Sequence, residues 1–149
     1  MAVHLDTSIL GRLANSADLA HAIAQTAVAR LHQRGDVLHV TAQNLIEFRN
    51  FATRPKAQNG LGLPPAAAAG LSTRYQAAFS LLEETPAIFP AWRALVDSLG
   101  VEGKPVHDAR LVAVCHVHAV SQVLTFNVGH FTRFAGFGPG IVVLDPVTL

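Results

Sequence analysis

Short apolar runs alternate in this chain with longer stretches where apolar residues return every three or four positions, the periods of strand and helix. Ala2 to Leu5 is a short run that ends at an acid and predicts a strand. Thr7 to Leu13 opens a helix behind it, with Thr7 or Ser8 as its N-cap. Leu19, Ala22, Ile23, Ala27 and Leu31 predict a second helix, from Ala17 to Arg34, closed by Gly35. Val37 to Thr41 predicts a strand. Ala42 to Thr53 predicts a helix with Leu45, Ile46 and Phe48 as its stripe, stopped by Arg54 and Pro55.

Residues 56–65, rich in Gly, Asn and Pro, predict a loop inside one domain, because neither flank has enough apolar sequence to fold alone. Pro65 opens a long helix that runs to Glu84 on Leu71, Tyr75, Ala78, Phe79 and Leu82. Ala87 to Phe89 predicts a short strand, and Pro90 to Leu99 a helix ended by Gly100. Val106 to Val120 is an apolar helix; Gln122 to Phe126 and Ile141 to Leu144 are the last strands. Strands alternating with helices predict a three-layer α/β/α sandwich, its central sheet mostly parallel, as a single domain over residues 1–149.

Composition narrows the class of protein without giving a function. Half of the 149 residues are hydrophobic and 14% are charged, against roughly 25% charged in an average soluble chain. That leaves more apolar surface than one small core needs, so a partner or a second copy is expected to cover part of it. No apolar run reaches the ~18 residues of a membrane span. The start, MAVHLDTSIL, has no basic segment before its apolar residues and does not read as a signal peptide. A single cysteine, Cys115, excludes an internal disulfide and suits a reducing cytoplasm. A formal net charge of +1 excludes no class of ligand, nucleic acid included.

The chain has ten acids, and the placement of three is informative. Asp6 ends the first strand, Glu47 lies in the helix after the second, and Asp108 starts the helix leading into Gln122–Phe126. Ligands of open α/β sheets bind beyond the carboxyl ends of the strands. Carboxylates converging there repel one another unless a cation neutralises them. Hard oxygen ligands without Cys or clustered His favour Mg²⁺ or Mn²⁺. Singly, each acid also fits an ordinary role: a helix cap at Asp6 or Asp108, a solvated helix residue at Glu47. Together they point to a metal site.

At these residues the sequence resembles the PIN-domain family, especially its VapC-type toxin branch, over nearly the whole chain. LDTSIL resembles the family's strand-end Asp motif, and NLIEFRNFATRP the segment carrying its Glu. VHDARLVAV resembles the Asp-Ala helix, LTFNVGHF the strand-end motif that usually supplies a further acid, and GIVVLDP the last strand. The resemblance implies a PIN-like sandwich and a Mg²⁺- or Mn²⁺-dependent endoribonuclease, the toxin component of a type II toxin–antitoxin system. Asp6, Glu47 and Asp108 would be the metal-binding acids. It also implies a protein antitoxin, a homodimer, RNA as substrate, and products with a 5′-phosphate and a 3′-hydroxyl. In LTFNVGHF many relatives carry Asp where this chain has Asn127, or before the closing Phe, where it has His130. Asn127 adds no charge, though its amide can orient a water in the catalytic site. The loss bears on a second metal ion.

Thr7 and Ser8 are candidates to hydrogen-bond a ligand acid, or simply to cap the first helix. Arg49, Arg54 and Lys56 are candidates to contact phosphates, or form a solvated basic edge. Of the eight histidines, only His107 and His130 adjoin the motifs; His116 and His118, two apart on a helix, share no face. His4 alternates with Leu5 within the first strand, and Cys115 among valines reads as a small buried residue. Trp92, Tyr75 and the eight phenylalanines form no stacking pattern for single strands. The alternative reading is a catalytically weak PIN-like module that binds RNA or a partner. A Mg²⁺ phosphatase is disfavoured, because Thr7-Ser8 after Asp6 provides no DxD arrangement.

Overall fold

Five strands form one parallel sheet in a computed structural model that describes residues 1–149. They are β1 (Ala2–Leu5), β2 (Val37–Thr41), β3 (Ser80–Leu82), β4 (Gln122–Leu124) and β5 (Val142–Leu144), in the order β3-β2-β1-β4-β5. Val3 lies opposite Leu38 on one side and Gln122 on the other. Seven helices connect and cover the sheet: α1 (Thr7–Ala14), α2 (His21–Gln33), α3 (Ala42–Thr53), α4 (Pro65–Ala78), α5 (Ile88–Leu99), α6 (Pro105–Val117) and the single turn α7 (Val128–Phe131). None is long and apolar enough to cross a membrane.

The sheet divides the core in two. One cluster packs Val3, Leu5, Ile9, Leu31, Val40, Phe48, Tyr75 and Leu124 together, drawing on α1 to α4. The other packs Leu95, Leu111, Val112, Val123, Phe131 and Phe134, drawing on α5 to α7. Neighbouring residues of one strand, Val123 and Leu124, fall into opposite clusters, which is the alternation a sheet covered on both faces requires. The predicted α/β/α sandwich is the observed architecture.

Strand order fixes where a ligand can bind. From β1 the chain steps outward through β2 to β3, then returns to lay β4 and β5 on the opposite side of β1. The order therefore reverses between β1 and β4, and a crevice opens beyond their carboxyl ends. Asp6 leaves β1 at that point, its backbone N–H bonded to Leu124 O at 3.0 Å.

Four predicted elements differ from those observed. The helix expected to reach Glu84 stops at Ala78, and Ser80–Leu82 forms β3, paired with His39–Thr41. Phe79 packs in one core cluster and Leu82 in the other. An extended backbone places residues three apart on opposite faces, whereas a helix would stack them on one. The strand expected at Ala87–Phe89 is instead the start of α5, which accepts Pro90 in its first turn, where no intrahelical donor is lost. Helix α2 begins at His21 rather than Ala17, because the Asn15 and Asp18 side chains accept from the N–H groups of Ala17 and Ala20 and hold a turn. Leu19, expected in the apolar stripe, is fully exposed there. Finally, β4 ends at Leu124, which frees Thr125 to Asn127 to turn across the crevice.

Candidate active site

Asp6, Glu47, Asp108 and Asn127, four residues far apart in sequence, line one cavity of about 340 Å³ at the switch point. Thr7, Ser8, Gly11, Arg12, Asp18 and Phe51 complete its wall. Helix α1 packs closely on α3 at Gly11, where a Cβ would stand 3.1 Å from the Phe51 ring.

Asp6 is buried, and its Oδ2 accepts from two hydroxyls, Ser8 Oγ at 2.8 Å and Thr125 Oγ1 at 2.8 Å. Each hydroxyl is itself fixed by a backbone donor: Phe126 N–H on Ser8 Oγ and Asn127 N–H on Thr125 Oγ1. Oδ1 accepts no hydrogen bond and is the oxygen left for a ligand. Glu47 projects from the second turn of α3. Its Oε1 accepts from Gln43 Nε2 at 2.8 Å and its Oε2 from Thr7 Oγ1 at 3.0 Å. Neither Thr7 nor Ser8 caps α1, whose N-cap position is Asp6 with no side-chain capping bond. Both hydroxyls serve carboxylates instead.

Asp108, in the first turn of α6, is held differently. It accepts no side-chain hydrogen bond, and its nearest ionic neighbour is His130 Nδ1 at 3.6 Å. Burial pushes its pKa up to about 6, the charge of Asp6 and, less strongly, that of Glu47 push the same way, and His130 and His107 oppose them. A carboxyl raised by burial and by acidic neighbours in a shared cavity is what a cation would relieve.

The donor set fits a hard divalent ion: carboxylate oxygens, an amide, and no thiol or clustered imidazole. No group of three or more His, Cys, Asp and Glu side chains stands close enough, as placed, to hold a metal ion between them. Mg²⁺, which keeps several waters and takes only one or two carboxylates, does not demand a closed protein shell.

Arg49, Arg54 and Lys56 do not line this cavity. Arg49 is exposed on α3, and Arg54 bonds Asn59 O and lies over the Phe51 ring. The basic groups beside the acids come from elsewhere. Arg12 lines the cavity, anchored by Ser8 O and the Phe126 ring. Lys104, His130 and Arg133 line an adjoining notch of about 370 Å³ that shares Asp108. His107 is exposed, and its carbonyl accepts from Gln43. Sequence reasoning also missed Thr125, Gln43 and Asn44. Thr125 lay inside a quoted motif, while Asn44 at the start of α3 reads as an ordinary helix cap.

The PIN domain family model matches residues 3–136. No curated protein matches the chain. Among solved structures, VapBC2 from Rickettsia felis, bound to a DNA fragment from its promoter, superposes with a TM-score of 0.71 at 12% identity, covering 97% of this chain and 98% of that one. VapBC-1 from nontypeable Haemophilus influenzae gives 0.69 at 16%, with 99% of both chains covered. VapC20 from Mycobacterium tuberculosis, described as a sarcin-ricin loop cleaving toxin, gives 0.56 at 22%, covering 81% of this chain and 86% of that one. At these identities the likeness shows the fold.

Proposed function

This chain belongs to the PIN domain family, and on that premise we propose that it is a divalent-metal-dependent endoribonuclease, the toxin of a toxin–antitoxin pair. The observation that carries the reading is that Asp6, Glu47 and Asp108 all line one cavity at the sheet's switch point. RNA as substrate is supported by VapC20, whose fold this chain shares. A protein antitoxin is supported by the likeness to the toxin–antitoxin complexes from Rickettsia and Haemophilus.

Asp6, Asp108 and Glu47 would hold a Mg²⁺ or Mn²⁺ ion, which when bound acidifies a water and neutralises charge on the phosphate under attack. Ser8 and Thr125 fix the Asp6 carboxylate so that its free oxygen is presented to the cavity. Arg12, which lines the cavity, would supply the cationic group for a phosphate oxygen, and the Asn127 amide in the same lining would orient the attacking water. Lys104 and Arg133 in the adjoining notch carry the strand away from the acids. Arg49, Arg54 and Lys56 remain as contacts for RNA extending past Phe51.

The test is cleavage of a panel of transfer and messenger RNAs by purified protein with Mg²⁺ or Mn²⁺ against EDTA. Metal-dependent internal cleavage is expected. RNA binding without turnover would instead favour a regulatory module. Co-expression with a small neighbouring gene product should suppress cleavage, and light scattering should report a homodimer. A cytoplasmic site of action follows from the same reading.

A further inference from the structure

The hydrogen bonds behind Glu47 run in one direction, and their direction is forced. Thr41 N–H lies 2.9 Å from one atom of the Asn44 amide. A backbone N–H can only donate, so that atom is the oxygen. The same oxygen accepts the Thr41 hydroxyl at 2.8 Å and His4 Nε2 at 2.6 Å, so His4 carries its proton on Nε2. The amide nitrogen therefore faces Thr7 Oγ1 and donates to it at 3.0 Å. A hydroxyl has one proton, and with Asn44 donating to its oxygen that proton goes to Glu47 Oε2.

His4, Thr41 and Asn44 are fully buried, with no solvent to substitute for a lost partner. His4 Nδ1 has no partner at all, so the only bond this buried ring makes is the one that grips the amide. Helix capping does not explain the arrangement. Asn44 and Thr41 do form a reciprocal capping box at the start of α3. An Asp would close that box equally well and would suit the helix N-terminus better. Only an amide accepts from Thr41 and His4 while donating to Thr7.

We propose that Asn44, gripped by Thr41 and His4, is the positioning residue for Glu47 and acts on it through the Thr7 hydroxyl. The geometry stands by itself; the purpose, holding Glu47 for a divalent cation, rests on the proposed nuclease reading.

Two measurements on Thr7→Val, Thr7→Ser and Asn44→Asp test this. In metal-free protein, the side-chain carboxyl ¹³C signal of Glu47 should move in Thr7→Val and Asn44→Asp and return in Thr7→Ser. Without RNA, Mn²⁺ affinity measured by electron paramagnetic resonance should fall by about 10–100-fold in the first two variants, the usual cost of losing a group that orients a metal ligand. It should stay close to wild type in Thr7→Ser. The double variant Thr7→Val/Asn44→Asp should be no weaker than either single one, since both break one chain. If Asn44→Asp does not fold, Thr7→Val decides alone, because it leaves the contacts of Asn44 with Thr41 and His4 intact. An unmoved Glu47 signal with unchanged Mn²⁺ affinity would overturn the proposal. A displaced Glu47 signal in Thr7→Val, in a protein whose wild type binds no Mn²⁺, would support the positioning role and sink the metal reading.

Discussion

On the wall of the cleft built by β1, α1, α3 and Thr125 just beyond β4, three of the four carboxylate oxygens of Asp6 and Glu47 accept side-chain hydrogen bonds. On the facing wall, built by α6 and α7, Asp108 has only an imidazole 3.6 Å away. The first wall is set before any ligand arrives, because the backbone N–H groups of Phe126 and Asn127 hold Ser8 and Thr125, the buried Asn44 amide holds Thr7, and Gln43 also donates to His107 O. The second has no such hydrogen bonds on its acid, which leaves it the more adjustable, and it carries the basic side chains of Lys104, His130 and Arg133. The difference teaches how a cleft lined by acids can be stable and still ready for a cation. Two acids are locked in place, and the third bears the repulsion.

The hardest way to break this division is to remove an acid from the fixed wall. Asp6→Asn should lower RNA cleavage by about 10³-fold or more, since a metal contributes several kcal/mol to such transition states. Circular dichroism should remain that of the wild type. Full activity in folded Asp6→Asn protein would refute the assignment.

A smaller effect compares one supporting group from each wall. Thr125→Val keeps the shape of a buried residue but removes the donor to Asp6 Oδ2 and the acceptor for Asn127 N–H. Mn²⁺ affinity is expected to drop by about 10–100-fold. His130→Ala, opposite, removes an exposed partner and should change it by about fivefold at most. Equal losses would mean that the walls are not different in kind.

The pH dependence of stability isolates the adjustable wall. The folded pKa of Asp108 is raised to about 6 from an ordinary 3.8. Between those values Asp108 in the metal-free fold holds more proton than it does in the unfolded chain, so its contribution to stability falls as pH rises from about 4 to about 6 and levels off above. Asp108→Asn removes this penalty. In EDTA at pH 7.5 the variant should be more stable than wild type by roughly 1–2 kcal/mol, the shift being discounted for the solvent that reaches the group. At pH 4 the two should coincide. Urea midpoints at both pH values check the sign, and a difference between wild type and Asp108→Asn that fails to open in the variant's favour from pH 4 to pH 7.5 would contradict it.

The mildest probe is electrostatic. Lys104→Ala/Arg133→Ala should weaken single-stranded RNA binding a few-fold and flatten the slope of log K against log salt by ~0.7 per lost phosphate contact. Arg49→Ala/Lys56→Ala, away from the cavity, should leave binding of a short oligonucleotide unchanged. A reversed pattern would place the RNA along α3.

The three acids are legible in the chain, but the division between the walls is not. Asp6 stands at a predicted strand end, Asp108 at a helix start and Glu47 in the second turn of the helix after the second strand, and strand ends and helix starts leave local marks. The hydroxyls of Thr7 and Ser8 were candidates with two roles open, and only the folded packing turned them from the helix cap toward Glu47 and Asp6. Arg49, Arg54 and Lys56 looked close to Glu47 because they are close in sequence. On α3 and the turn after it, they lie outside the cavity's lining.

What the amino-acid sequence by itself determined was the alternation of strands and helices, hence a covered parallel sheet, and the acids at its edge. Those features depend on periods of two and 3.6 and on neighbours a few positions away. Only the tertiary structure decided that residues 80–82 pair as a strand, that β4 lies beside β1, and that His4, Asn44 and Thr125 stand behind the acids. Parallel pairing and bonds between residues 40 or 119 positions apart leave no local pattern to read. An asparagine at the third position of a helix looks the same whether it caps that helix or holds a glutamate in a cleft.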